Sequence, residues 1–407
     1  MSDAPVDMVK LSEALAGPAA TAVVDALAAD GAEVRFVGGC VRDCLLVRAV
    51  DDVDLATPDR PESVMALLER AGIKAVPTGL KHGTVTAVLQ GKSFEITTLR
   101  VDVETDGRHA EVVFTNDWRA DAARRDFTIN AMSLTVDGAL FDYFGGREDL
   151  AAGLVRFVGE ADQRIAEDYL RVMRFFRFLA RFGRGEPDAE AVAACRGVAG
   201  RLGQLSIERV QVELLKLLAA PNPVPTLVLM EATGILEAVL PEAGPSGVLM
   251  VLAGIDDRDP LRRLAALAPN GGKALAQRLK LSNAMADRFG LLAPPVVAMD
   301  AAMTREEQRR ILYRHGDGIF RDLVLLAWAG DDEARADHWR AMLETANAWD
   351  NPALPIRGND VVEAGLAPGP EVGRVIAEIE TWWSARDFQP DRAACLAVMT
   401  DVIARQV

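Results

Sequence analysis

The stretch Val34-Arg-Phe-Val-Gly-Gly-Cys-Val-Arg-Asp43, followed by Asp52-Val-Asp-Leu-Ala-Thr57, decides how this chain is read. Val34 to Val37 reads as a buried β-strand. Gly38 and Gly39 turn the backbone sharply and let it approach a ligand with no Cβ in the way. Cys40 to Val47 follows as a short helix whose free N–H groups point back at the turn and suit a phosphate. Asp52 and Asp54 stand two apart in a second short strand, so both carboxylates leave on one face. An isolated Asp-x-Asp is usually a solvated turn; here the apolar strand and the nearby glycine turn favour metal binding. Two hard oxygen ligands beside a phosphate cradle suit magnesium-dependent phosphoryl or nucleotidyl transfer. Arg42 is then a charge-assisted clamp on a triphosphate, and Asp43 caps or orients it.

Outward from this stretch, short strands are predicted up to about residue 145: Val34–Val37, Asp52–Ala56, Thr84–Leu89, Ser93–Leu99, Val112–Thr115, Ser133–Val136 and Leu140–Tyr143. An opening helix over 8–29 ends at Gly31, and a helix Pro61–Ala71 carries Pro and Glu in its first turn. Gly91-Lys92 and Asp137-Gly138 read as hairpin turns. After Gly145-Gly146 the apolar period becomes 3.6, with helices predicted at 161–183, 187–199, 206–219 and 223–234. Later breaks fall around Pro241–Gly247, Pro269–Gly272, Pro294-Pro295 and Asn351–Pro355. The fold class is therefore α+β. A head of mixed sheet and helices spans 1–150, a helical neck 151–235, and a helical body and tail 236–407.

The chain has 407 residues, enough for two or more domains. Cys40, Cys44, Cys195 and Cys395 form no CxxC pair, and the four histidines have no zinc-ligand spacing. Reduced thiols with no disulfide partner, in a cytoplasmic protein, are expected. No apolar run approaches the roughly 20 residues of a membrane helix, and Met-Ser-Asp-Ala-Pro does not resemble a signal peptide. A net charge of −15 argues by itself against nucleic-acid binding. Its distribution argues otherwise: Arg164, Arg171, Arg174, Arg177, Arg181 and Arg184 face only Glu167 and Asp168 within that stretch. Such a local basic stripe is expected to bind RNA with marked salt sensitivity. Nothing in the pattern sets an oligomeric state.

Further stretches bear on the chemistry. Glu95, on Phe94-Glu-Ile-Thr-Thr-Leu-Arg100, reads either as a third carboxylate on a strand beside Asp52–Ala56 or as a surface strand glutamate. Lys81-His82-Gly83-Thr84 reads as a turn into a strand. In Arg124-Arg-Asp-Phe-Thr-Ile-Asn130, Phe127 and Ile129 anchor the segment while its polar members face phosphates and ribose; Arg125 is the phosphate choice, and Asp126 and Asn130 either bind the ribose or hold the loop. In Glu167-Asp-Tyr-Leu-Arg-Val-Met-Arg-Phe-Phe-Arg177, Asp168 and Arg171 are neighbours on one helix face, as a plain salt bridge or as a reader of base edges. Cytosine and adenine present an amine donor beside a ring-nitrogen acceptor, whereas uracil and guanine present the reverse. A carboxylate with a guanidinium therefore matches C and A, and leaving polar groups unmatched discriminates by up to roughly 10⁴–10⁵. Arg174 and Arg177 continue around the helix toward a triphosphate or an RNA backbone, while Phe175, Phe176 and Phe178 are expected in the core.

In this order the motifs Gly-Gly-x-Val-Arg-Asp, Asp-x-Asp, Arg-Arg-Asp-Phe-Thr-x-Asn-Ala and Glu-Asp-x-x-Arg-x-x-Arg resemble the class II CCA-adding tRNA nucleotidyltransferase and bacterial poly(A) polymerase family, over about residues 34–216. Asp142-Tyr-Phe-Gly-Gly-Arg-Glu-Asp-Leu150 resembles its head–neck hinge, Ser206–Lys216 its next neck helix, Thr105–Val112 a flexible loop, and Leu354–Gly373 a C-terminal segment. The resemblance implies a polymerase-β-like nucleotidyltransferase head, with Asp52 and Asp54 as ligands of Mg²⁺. It implies that Gly39, Arg42, Arg125, Asp168, Arg171, Arg174 and Arg177 contact CTP or ATP, and that C, C and A are added to tRNA without a nucleic-acid template. Members often carry Leu-Leu-Gly-Arg-Pro where this chain has Leu45-Leu-Val-Arg-Ala49, a departure that removes no ligand. A poly(A) polymerase or an enzyme adding only the terminal A would share these motifs. A small-molecule nucleotidyltransferase would need neither the Asp168–Arg171 reader nor so long a helical body, and a scaffold with an inactive head would not need intact Asp52, Asp54 and Arg125.

Overall fold

The first strand and its glycine turn set the frame of the head. The computed structural model describes residues 15, 17–50, 52–105 and 110–405 and divides into two units, Met1–Pro241 and Glu242–Val407. In the first, α1 (Pro18–Ala28) leads to β1 (Arg35–Val37), and α2 (Gly39–Leu45) follows the turn at once. Then come β2 (Val53–Thr57), α3 (Pro61–Arg70), β3 (Lys74–Gly79), β4 (Thr84–Leu89) and β5 (Lys92–Thr98). With β8 (Ser133–Leu134) and β9 (Leu140–Phe141) these strands form one sheet of order β3-β4-β5-β2-β1-β8-β9. The β2–β5 pair is parallel and all others are antiparallel, so the expected mixed sheet is present. A separate ribbon joins β6 (Arg100–Thr105) to β7 (Ala110–Phe114). Of the predicted loop Thr105–Val112, residues 106–109 lie outside the described residues, as does most of the predicted opening helix before Pro18.

Several sequence expectations are corrected. Strands β3 and β6 were not anticipated: β3 carries Pro77 and Gly79 and has no buried residue, so it shows no alternating apolar face. The β4–β5 turn is Gln90-Gly91 and not Gly91-Lys92, since Leu89 pairs with Lys92 and both turn residues have positive φ, 52° and 75°. The predicted helix 161–183 is two helices, α6 (Ala161–Glu167) and α7 (Leu170–Phe182), preceded in the chain by α4 (Trp118–Ala123) and α5 (Gly146–Ala152). Asp168 between them is extended (φ −156°, ψ 106°), and its Oδ1 accepts the Leu170 N–H at 3.0 Å. An aspartate that offers its own backbone such a partner interrupts a helix.

The apolar face of α7 carries the head–neck core. Phe175 and Phe176 are fully buried, and Phe178 and Phe182 nearly so. Phe127 from the Arg124–Asn130 segment meets Phe157 at 4.9 Å and Phe178 at 5.2 Å between ring centroids. Helices α8 (Ala189–Gly197) and α9 (Ile207–Leu218) continue the neck, with α9 packed on α7. The second unit, taken alone, is built from helices between Gly247–Ile255 and Arg392–Ala404. Apolar clusters form around Phe320 and Trp339 and around Val375 and Trp383. Its buried charges are paired: Arg263 with Asp256 at 2.7 Å, and Asp322 with Arg262 at 2.8 Å and Arg288 at 2.7 Å. No helix among the described residues is long and apolar enough to cross a membrane.

Gly146, the first residue of α5, leaves no room for a side chain. A Cβ there would lie 2.2 Å from the Thr128 carbonyl oxygen, a backbone atom that cannot rotate aside. Gly146→Ala is expected to destabilise the protein by about 2 kcal/mol or more, seen as a melting transition lowered by several degrees; an unchanged transition would contradict this packing.

Candidate active site

In the parallel β2–β5 pair Asp54 stands directly opposite Glu95. Asp52 lies one residue before β2 and is exposed, as is Glu95. The Asp54 carboxyl is pushed up to about 6 by burial first, then by the charges of Glu95 and Asp52, with Arg125 pulling the other way. Glu95 is thus both a surface strand residue and a neighbour of the aspartate pair. The head presents a concentration of negative charge that a single arginine leaves incompletely balanced.

The glycine turn meets that arginine. Gly38 has φ +74°, and a Cβ on it would come within 2.9 Å of Arg125 Nη1. Glycine is required here both for the left-handed backbone and for the guanidinium lying against the turn. Arg125 also donates to Asp121 at 3.4 Å, which accepts from Arg124 Nε at 2.9 Å. Asp121 was not singled out in the sequence: only the helical i+3 and i+4 spacing of Asp121 to both arginines signals it.

From Arg125 the segment runs on to the neck. Asp126 Oδ1 accepts the Phe127 N–H at 2.9 Å and Asn130 Nδ2 at 3.1 Å, and Oδ2 accepts Arg174 Nε at 2.6 Å. Asn130 Oδ1 in turn accepts from Arg42 Nη1 at 2.5 Å. Of the two readings of Asp126 and Asn130, these bonds are those of residues that hold the loop. Arg42 is buried and forked onto Asp43 at 3.1 and 2.8 Å, as expected of an orienting neighbour. Gly39 lies over it, its missing Cβ 3.6 Å from Arg42 Nη2. Arg177 donates to Glu213 of α9 at 2.5 Å and stacks on Phe178 at 4.1 Å.

Asp168 and Arg171 differ from their sequence reading. They do not share a helix face, because the chain breaks between them. Asp168 Oδ2 accepts from Arg209 Nη2 at 2.6 Å, whereas Arg171 pairs with Glu167 and donates to the Arg164 carbonyl at 2.8 Å. Arg209 and Glu213, both on α9, are functional candidates that sequence reasoning missed. Their α7-side partners lie 41 and 36 residues away, beyond any local spacing rule. The basic stripe is also smaller than its sequence implies. Arg164, Arg171, Arg174 and Arg177 are tied to carboxylates, and Arg184 to the carbonyls of Leu150 and Ala151.

The donor set fits a divalent cation. Among the described residues no three His, Cys, Asp or Glu side chains converge as a closed metal cage. A cation bound through one or two carboxylates and completed by substrate phosphates and water needs no such cage. Asp54 and Asp52 supply hard oxygens, and Asp54, raised by burial first and then by the charges of Glu95 and Asp52, is a carboxyl whose ionised form a bound cation would favour.

Residues 34–156 match the poly A polymerase head domain, and residues 186–245 match a domain described as the probable RNA and SrmB-binding site of polymerase A. The Danio rerio protein named CCA tRNA nucleotidyltransferase 1, mitochondrial, is 37% identical over 384 residues, 90% of this chain and 87% of its own length. Its Homo sapiens namesake is 36% identical over 380 residues, 90% and 86% of the two chains. The crystal structure of the Bacillus stearothermophilus CCA-adding enzyme in complex with CTP is similar with a TM-score of 0.76 at 29% identity, over 97% of this chain and 98% of that one.

The strained charge on Asp54 yields a stability prediction. Its carboxyl titrates higher folded than unfolded, so between pH of about 4 and 6 the native state holds the extra proton and stability falls as pH rises. Asp54→Asn removes that loss. In metal-free buffer it should match the parent near pH 4 and exceed it by about 1–3 kcal/mol above pH 6, measured by denaturant melts across pH. Equal stability at pH 7.5 would refute the assigned electrostatics.

Proposed function

The chain belongs to the family of CCA tRNA nucleotidyltransferases, and from that premise we propose that it adds C, C and A to tRNA 3′ ends from CTP and ATP, without a nucleic-acid template. The tRNA 3′-hydroxyl attacks the nucleotide α-phosphate in line, and pyrophosphate leaves. The observation that carries the proposal is the Arg124–Asn130 segment: Arg125 lies at the glycine turn and carboxylates of the head, while Asp126 is bonded to the arginine face of the neck.

Asp52 and Asp54 would hold two Mg²⁺ ions, with Glu95 as the third carboxylate of the catalytic group. When bound, Mg²⁺ lowers the pKa of the attacking hydroxyl and neutralises the leaving pyrophosphate. Arg125 and the open turn at Gly38 and Gly39 receive the phosphates, with Arg42, Arg174 and Arg177 behind them. Asp168 and Arg171 select the base. Each Asp168 oxygen already accepts one bond, from Leu170 N–H or Arg209, and keeps a second acceptor site for an exocyclic amine. Arg171 exchanges Glu167 for the ring-nitrogen acceptor. In this reading residues 1–150 are the catalytic head, 151–235 the nucleotide-selecting neck, and 236–407 a tRNA-binding body and tail. The compartment is the cytoplasm; all four cysteines are free and buried, as reducing conditions keep them.

The test offers tRNAs ending before CCA, after C or after CC, with CTP and ATP supplied separately. Addition of two C and one A followed by arrest is expected; long A tails, or ATP use on the CC end only, would overturn the proposal. Asp52→Ala should abolish every transfer. Arg171→Ala should lower the preference for C and A over U and G by roughly tenfold or more; unchanged selectivity would remove Arg171 from base choice.

A further inference from the structure

Three guanidinium groups surround one aromatic ring at the C-terminal end of α7. Their Cζ atoms lie 4.4 Å (Arg42), 5.1 Å (Arg48) and 5.6 Å (Arg181) from the centroid of Phe182. All three fall within the range of a cation–π contact. Arg42 is the inner member, neutralised by Asp43 and bonded to Asn130. Arg48 and Arg181 are exposed, and among the described residues neither side chain has a hydrogen-bond or ion-pair partner. In a chain of net charge −15, whose other arginines on α7 are committed to internal oxygen atoms, two uncompensated guanidinium groups on one ring are exceptional. Beside them Val47 is 85% exposed and held at φ 55°, a left-handed conformation costly for a β-branched residue.

We propose that Arg48, Arg181 and the ring of Phe182 form a phosphodiester-binding patch that holds the tRNA backbone beside the active site, with Val47 as an apolar contact at its rim. This rests on the functional reading above and names residues in the head–neck unit that position the RNA. A phosphate could also come from the incoming nucleotide, but position favours the RNA. The Gly38–Gly39 turn lies at the N-terminal end of α2, whereas Arg48 follows its C-terminal end. From Arg171 to Arg181, α7 rises about 15 Å, which sets the patch well away from the base-selecting end. Planar guanidinium groups braced on a ring present a preformed fork to phosphate oxygens.

The experiment measures equilibrium binding of tRNA lacking CCA across a KCl series for the full-length protein, R48A/R181A and R48K/R181K, alongside KM for CTP. The alanine pair should weaken tRNA binding roughly tenfold and reduce the slope of log K against log salt by about 1.5–2, one phosphate contact per arginine. The lysine pair should recover most of the affinity, and KM for CTP and the melting transition should stay at parent values, since both side chains are exposed. Unchanged tRNA affinity and slope would overturn the patch. So would a raised KM for CTP with intact tRNA binding, which would assign the arginines to the triphosphate. CCA addition by the unmodified protein on the same tRNA separates the two claims: its failure counts against the functional reading, whereas normal addition with unaltered binding by the alanine pair counts against the patch alone.

Discussion

The pair formed by Asp126 and Arg174 joins two segments 48 residues apart in sequence, and most of the site geometry leads back to it. Burial raises the Asp126 carboxyl, but the charge of Arg174 and the bonds from Asn130, Arg174 and the Phe127 N–H outweigh it and hold the group below its ordinary value. A buried carboxylate in that state is tolerated because its lone pairs are occupied from several directions. Phe127, next in sequence, fixes the same segment by packing against Phe157 and Phe178. Asn130 passes the restraint to Arg42, and Arg42 to Asp43. At the other end Arg125 is turned back toward Gly38 and Asp54. One short loop therefore sets the positions of groups from the sheet, from α2 and from the neck.

The arrangement divides arginines by task. Arg174 and Arg177 on the inner face of α7 have protein carboxylates as partners, so their orientation is defined before any substrate arrives. Preorganised donors of this kind need little rearrangement when a charged ligand enters. The head carboxylates show the opposite condition: burial first, and then the charges of Glu95 and Asp52, make Asp54 hard to ionise. Unmet charge on that side and satisfied charge on the other give the two faces of the site unlike electrostatics.

Much of this was legible from local pattern. The strand–glycine–helix unit, the i, i+2 aspartates, the Glu95 strand beside them and the burial of Phe127, Ile129 and Phe175 all follow from period-2 alternation, glycine freedom and apolar spacing. Strand β3 was not legible, since a half-exposed edge strand carrying Pro77 and Gly79 lacks that pattern. The break at Asp168 was missed for a related reason. The residues on either side favour helix, and the side chain that interrupts them is fixed by Leu170 locally and by Arg209 from another helix.

Residue identity and spacing pointed to nucleotidyl transfer, because two aspartates two apart in a strand and a glycine turn are local features with one-residue precision. They could not say which charges remain available. Six arginines within 21 positions read as a basic stripe, yet five turn inward to oxygens contributed by residues elsewhere in the chain or on neighbouring turns. Only Arg181 keeps its charge for solvent, where it meets Arg48 across Phe182. Charge is a property of the sequence, but its compensation depends on distance, and distances between remote residues exist only once the chain has packed.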